Sequence, residues 1–283
     1  MIEVITPGLY TTVQDAGRFG HRNVGVPVSG AMDSVSAKQA NSLLGNENNS
    51  AVLESIMVGP TLKFHENTTI AIAGAPFEVL LNATEIPVNR PVSIQKNDVL
   101  TVGKATRGMY CYLAVAGGLQ TPSVLNSRSF YAGITQKIKL EKGDKLPIQR
   151  LPEILRDETL SVENVTHEVN TLMAYPGPEY ASLTIFEQQG LLEQKFTIST
   201  QSNRMATVLE CSVKISAKEI PTAPVQPGTV QLTPSGKVIV LMRDAQVTGG
   251  YARIFQLTEE SINILAQKRS GTHGTLHLDN SLS

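Results

Sequence analysis

The 283-residue chain is poor in cysteine, in net charge and in long apolar runs, and each shortage closes off a class of function. Its two cysteines, Cys111 and Cys211, form neither a disulfide framework nor a CxxC site, and their apolar surroundings predict small buried hydrophobes in a reducing compartment. Lys plus Arg is 24 against 25 for Asp plus Glu, leaving a formal net charge of −1. Such a balance argues against binding a nucleic acid through its phosphates and against a polybasic membrane-surface protein. Apolar runs such as Val238–Met242 are far too short to span a bilayer. The first residues show no basic segment followed by an apolar one, so the expectation is a cytoplasmic protein.

Hydrophobic residues are 41% of the chain, enough to build a core. They come as short stretches bordered by Gly, Pro and Asn: Thr69–Ala73, Phe77–Leu81, Tyr110–Val115, Lys195–Ser199 and Val238–Met242. Their length and β-branched content predict strands, and the frequent turns favour a sandwich or barrel over alternating βαβ units. Ser93–Leu100 and Ile138–Leu146 share a Lys-(Asn/Gly)-Asp turn between apolar segments, and are read as two hairpins of one barrel. Three helices are expected: one capped by Asp33, with Val35, Ala40, Leu43 and Leu44 facing the core; one capped by Thr258, with Ile262, Leu265 and Ala266 inward; and one from Pro178 to near Gln189, stopped by Gly190. The polar stretch 151–169 reads as a linker between β-rich domains at 1–150 and 170–283.

Walker, GxGxxG, HExxH and GxSxG signatures are all absent. His273 and His277 stand four apart, but their Gly- and Thr-rich context fits a surface strand better than a metal site, so no metal is expected. Three polar clusters remain. In the first, Thr11–Gly20 followed by Gly25–Asp33, glycines allow backbone amides to approach a ligand, Arg18 offers a fork for a carboxylate or phosphate, and Gln14 and Ser29 can orient polar atoms. Equally, Asp15 and Arg18 could simply pair at the surface while Asp33 caps its helix. The second cluster, Thr200–Met205, follows a strand, as does the third, Asp244–Tyr251, for which hairpin chemistry is the simpler account.

The same clusters carry a resemblance. Thr11-Thr12-Val13-Gln14-Asp15-x-Gly17-Arg18, Gly25-Val26-Pro27-x-Ser29-Gly30-Ala31-Met32-Asp33, Gly45-Asn46, Leu53-Glu54, Gly117-Gly118, Ser127-Arg128-Ser129, Pro176-Gly177-Pro178 and Thr248-Gly249-Gly250-Tyr251 occur in that order. The chain resembles the carboxyltransferase A/B family, which includes the third subunit of bacterial 5-oxoprolinase and the carboxyltransferase domain of urea carboxylase. The resemblance implies a mostly β chain with a few helices, arranged as two cyclophilin-like β-barrel domains. It implies two partners: a kinase-inhibitor-like homologue of the B subunit, and a LamB/YcsF-type homologue of the A subunit. ATP would be used at the level of the complex to open 5-oxoproline to L-glutamate. On this basis Gln14, Asp15 and Arg18 are candidates for catalysis, and Ser29, Arg204, Gln246 and Thr248 for substrate binding. Biotin-dependent carboxyl transfer to urea or a related amide is the alternative. No Ala-Met-Lys-Met biotin attachment sequence is present, since Ala31-Met32 is followed by Asp33, so biotin would arrive on another protein. A non-catalytic regulator of a kinase-inhibitor homologue is the third possibility. The sequence departs from the family pattern at Asn126, Asn203, Ala206, Val247 and Ala252.

Overall fold

The computed structural model describes residues 1–149, 169–212 and 215–279. The stretch expected to be a linker lies almost wholly outside them. Two compact units divide the described chain, and their partition is not purely sequential. One holds Met1–Arg18 and 29–149; the other holds Phe19–Val28 and 169–279.

The first unit is built from two antiparallel sheets. One runs in the order Lys145–Leu146, Ile2–Thr6, Thr61–Phe64, Val99–Ala105, Phe77–Leu81, Thr84–Glu85. The other runs Tyr10–Gln14, Val52–Ile56, Tyr110–Val115, Thr68–Gly74, Val92–Ile94. Ile2, Val4, Leu62, Phe64 and Leu100 of the first sheet share one core with Val13, Leu53, Ile70, Ile94 and Leu113 of the second. The alternating apolar positions of each strand thus meet across the gap, removing apolar surface from water. In the second unit seven strands close into a barrel, sealed by the parallel pairing of Thr171–Pro176 with His273–Leu278. Closure leaves no open edge. The expectation of a mostly β chain with few helices holds.

The two echoing turns behave alike, but neither makes a hairpin. Asp98 and Asp144 each accept a bond from the amide three residues earlier, Gln95 N at 2.8 Å and Glu141 N at 3.0 Å. Asn97 and Gly143 take the positive φ values, 74° and 87°. Beyond the first turn, Val92–Ile94 and Val99–Ala105 join different sheets. Beyond the second, Lys145–Leu146 pairs with Ile2–Thr6. Local chemistry dictates the turn, whereas the pairing partner depends on contacts far along the chain.

Helix α1, Ser34–Leu43, starts where Asp33 accepts from Ser36 N. Its buried face is Ser36, Ala37, Ala40, Asn41 and Leu43, while Val35 is exposed. At 100° per residue Val35 sits 140° from Ala40, so it cannot share that face. Helix α2, Ile185–Glu193, begins later than expected and runs straight through Gly190. Its capping box between Thr184 and Glu187 sets the start, and the cost of a helical glycine, about 1 kcal/mol, is too small to stop it. Helix α3, Glu259–Ala266, is capped by Thr258 and buries Ile262, Leu265 and Ala266 as expected.

Ahead of α2, the Pro176-Gly177-Pro178 segment lies against the strand Ala252–Leu257. A Cβ on Gly177 would fall 2.2 Å from the Arg253 carbonyl oxygen, so only glycine fits. Glu179 then receives the Arg253 fork, Nε to Oε2 at 2.9 Å and Nη2 to Oε1 at 2.8 Å. These side-chain hydrogen bonds hold the Glu179 carboxyl below its ordinary value of 4.5. A depressed folded value means the pair stabilises the unit fully above about pH 4.5, and this contribution disappears as pH falls through the lower folded value. Glu179→Gln is expected to cost about 1 kcal/mol at neutral pH and to flatten this part of the acid limb, as read by urea denaturation between pH 3 and 7.

Candidate functional site

The loop after the strand Tyr10–Gln14 is anchored on a segment more than a hundred residues away. The Asp15 carboxylate accepts four bonds: from Gly17 N at 2.8 Å, Ser127 Oγ at 2.7 Å, Ser129 Oγ at 2.7 Å and Arg128 N at 2.5 Å. The Ser129 hydroxyl in turn accepts from Asp15 N at 3.0 Å. Arg18 is the largest fully buried side chain among the described residues, at 0% exposure. Its Nη2 donates to the Ser129 carbonyl and its Nη1 to Ser29 Oγ at 3.3 Å. A surface role for Arg18 is therefore excluded. Gln14, also 0% exposed, turns its amide nitrogen toward Thr12 Oγ1 at 3.0 Å and the Phe130 carbonyl at 3.5 Å. Gln14, Asp15, Arg18 and, through Arg18, Ser29 thus all converge on residues 127–130.

Ser29 holds a left-handed φ of 59°, an uncommon conformation for a serine, and leads the chain into a second buried polar layer. There Met32 N donates to Glu54 Oε2 at 2.7 Å and Asp33 N to the Tyr112 hydroxyl at 2.7 Å. Glu54 is 2% exposed and Asp33 0%. Burial, and then the Glu54 and Asp33 carboxylates, push the Tyr112 phenol far above its ordinary range, so it stays protonated. Glu54 and Tyr112 are absent from the sequence candidates. The signal for Glu54 is its place in the Leu53-Glu54 motif, within the strand Val52–Ile56.

A polar cleft of about 540 Å³ opens in the first unit beside Asp15, with Asn46, Gly118, Gln120, Asn126 and Arg128 among its walls. Asn46 fixes one wall, its Oδ1 accepting from Gly117 N at 2.8 Å and its Nδ2 donating to the Val115 carbonyl at 2.8 Å. Arg128 donates from Nη1 to the Thr121 carbonyl and from Nη2 to Gln120 Oε1 at 3.1 Å. Between them a tight turn places Leu125 and Asn126 at φ 53° and 62°. Asparagine tolerates this region, which explains how Asn126 stands where the family pattern has glycine. Four of the motif segments — those holding Asp15, Asn46, Gly117-Gly118 and Arg128 — therefore line one cavity.

The remaining candidates belong to the second unit. Arg204 meets Asp244 bidentately, Nε to Oδ2 at 2.7 Å and Nη2 to Oδ1 at 3.0 Å. Asn203 replaces the usual carboxylate without losing its turn role, since its Oδ1 accepts from Met205 N at 2.8 Å and Ala206 N at 3.1 Å. Thr248 is exposed and pairs with Pro224 in a two-residue ladder, and Gln246 Oε1 is buried without a hydrogen-bond partner. Arg22, in the segment that joins this unit, donates to the Val225 carbonyl. His273 and His277 are exposed on the strand His273–Leu278. Among the described residues no group of three or more His, Cys, Asp or Glu is placed to hold a metal ion. Both cysteines are free, and burial pushes the Cys211 thiol up to about 11 and that of Cys111 higher still. No helix of the described residues is long and apolar enough to cross a membrane.

Closed barrel, paired sheets and the motif-lined cleft define a class: the chain belongs to the family described as carboxyltransferase domain, subdomain A and B, whose model matches residues 24–277. Within that family it is 34% identical over 276 residues to the C subunit of 5-oxoprolinase from Escherichia coli K12, covering 94% of this chain and 87% of the relative. The C subunit of Haemophilus influenzae 5-oxoprolinase is 32% identical, with 96% and 89% covered. Urea amidolyase of Saccharomyces cerevisiae is 39% identical over 131 residues, 46% of this chain and 7% of that protein. Among solved structures, TTHA0988 superposes with a TM-score of 0.88 at 29% identity, covering 99% of this chain. The chain spans about half that protein's length, 55%. The Kluyveromyces lactis urea amidolyase superposes at 0.87 and 26% identity, with 97% of this chain and 18% of that one covered. The two bacterial relatives, named as C subunits, imply further subunits in their assemblies.

Proposed function

We propose that this chain is the C-type subunit of an ATP-dependent 5-oxoprolinase, acting with two others: a B subunit of kinase-inhibitor type and an A subunit of LamB/YcsF type. The observation that carries the reading is coverage: likeness to two 5-oxoprolinase C subunits takes in nearly the whole of this chain and of theirs. The reaction has a clear chemical demand. An unstrained lactam is a poor electrophile, so ATP phosphorylates its oxygen and leaves as ADP; water then adds at that carbon and the C–N bond breaks to give an acyl phosphate, which a second water hydrolyses to glutamate and phosphate. The protein must hold a small carboxylate and stabilise a developing oxyanion with fixed donors. In the cleft, Asp15 acts as a positioning residue, because its carboxylate oxygens are already occupied by four donors. Its task is to hold residues 127–129, and Arg128 with them, in place.

Carboxyl transfer to urea or a related amide is the second reading, favoured by the superposition of 97% of this chain on the Kluyveromyces lactis urea amidolyase. The deciding experiment purifies this chain alone and with its two expected partners. Glutamate formation from 5-oxoproline and ATP is expected from the three-component mixture and not from the chain alone. Turnover by the lone chain would sink the multi-subunit reading. ATP-dependent carboxylation of urea with an added biotin-carboxylase and carrier, and none of 5-oxoproline, would select the alternative. A stable complex inert in both assays would leave regulation.

A further inference from the structure

Arg128 faces the cleft with most of its hydrogen-bonding capacity unspent. A guanidinium carries five N–H donors. Two are engaged, by the Thr121 carbonyl and Gln120 Oε1, which leaves three without an acceptor among the described residues. Arg128 also forms no ion pair among those residues, in contrast to Arg204, Arg243 and Arg253, each of which meets a carboxylate. Asp15, the nearest acid in the chain of bonds, is committed to its four donors and touches Arg128 only through the backbone amide. Glu47, the other acid of the cleft, is exposed and makes no ion pair with it. The two engaged bonds hold the planar group in one orientation. That is the pre-organisation a bidentate acceptor needs, and a carboxylate matches the fork.

We propose that the cleft binds a small carboxylate ligand through the Arg128 guanidinium; under the reading above, which this inference rests on for the ligand's name, that group is the carboxylate of 5-oxoproline. The side-chain amide of Asn126, on the same cleft wall, suits the neutral polar remainder of such a molecule, whereas those of Asn46 and Gln120 are committed within the wall.

The test measures binding to the full chain by calorimetry with three probes: 5-oxoproline, 2-pyrrolidinone (the same lactam without its carboxylate) and inorganic phosphate. The wild-type chain is expected to bind 5-oxoproline, with affinity falling about ten- to a hundred-fold in Arg128→Gln and about ten-fold in Arg128→Lys. Binding of 2-pyrrolidinone is expected to be weak and equal in all three proteins, a discrimination that a merely structural arginine would not produce. Thermal melting accompanies each variant; should Arg128→Gln fail to fold, Arg128→Lys, which keeps a donor for Thr121, decides. Undiminished 5-oxoproline binding in a folded variant would overturn the assignment. So would phosphate as the only probe bound, or no binding of 5-oxoproline by the wild-type chain. Turnover by the reconstituted complex is scored separately, so failure of the oxoprolinase reading and failure of the Arg128 assignment give different patterns. In an active complex, KM for 5-oxoproline is expected to rise ten-fold or more in Arg128→Lys with kcat less affected.

Discussion

Asp15→Ala is expected to lower the stability of the chain by about 3 kcal/mol or more and to abolish activity of the assembled complex. The reason is the number of groups that depend on one carboxylate: two serine hydroxyls and two backbone amides all donate to it. Hydrogen bonds to a charged group contribute about 1.5–3 kcal/mol each where they are shielded, and orphaned donors add a desolvation cost. The four are not additive, since they share one acceptor and one rigid segment. Asp15→Asn keeps the shape and one oxygen acceptor, so its cost is expected to be roughly half. Urea denaturation of the isolated chain, beside kcat/KM of the complex, reads both effects. If Asp15→Ala melts like the wild type yet is inactive, the residue is catalytic and the positioning role assigned to it is wrong.

Arg18→Lys is expected to cost about 1.5–3 kcal/mol of stability, and to reduce activity only to the extent that the site loosens. The side chain is wholly buried, and its fork spans two acceptors, the Ser129 carbonyl and Ser29 Oγ. A lysine ammonium is a single point of donation on a flexible stem and cannot satisfy both. Ser29 would lose a contact that helps maintain its left-handed backbone. A surface arginine would show a change within about 0.5 kcal/mol, so thermal denaturation separates the two cases. A stability loss near zero would mean that the loop is held by something other than Arg18.

Much of this organisation is legible in the sequence, and the limits follow a pattern. Caps are readable because Asp33 and Thr258 act on amides three residues away. The Lys-(Asn/Gly)-Asp turns are readable for the same reason, yet the hairpins they suggest do not form, because pairing is decided by partners remote in sequence. Gly190 misleads for a different reason: its propensity is a weak local cost that tertiary packing of Leu191 outweighs. In the site, Gln14, Asp15, Arg18 and Ser29 stand out as a loop, and the structure does gather them. Their common anchor, residues 127–130, stands in the sequence as a motif without a role, since nothing local reveals that Ser127 and Ser129 serve a carboxylate 112 and 114 positions away. Arg18 reads in sequence either as a residue facing a ligand or as a surface partner of Asp15; its full burial is a property of packing that no spacing of residues encodes.

The interleaving of the two units has a consequence for how the protein is made. Phe19–Val28 leaves the ribosome early, but it belongs to a unit whose other residues come much later. Arg22 must wait for Val225, 203 positions further on. At synthesis rates of about 5–20 residues per second, that delay is on the order of 10–40 s. For this interval the nascent first half carries a ten-residue loop with nothing yet made for it to join. Cutting the gene at its midpoint would make the condition permanent, since neither half would encode a complete unit. Complementation by separately expressed halves should therefore succeed only when both fragments are present together, with the N-terminal one supplying the missing loop to its partner.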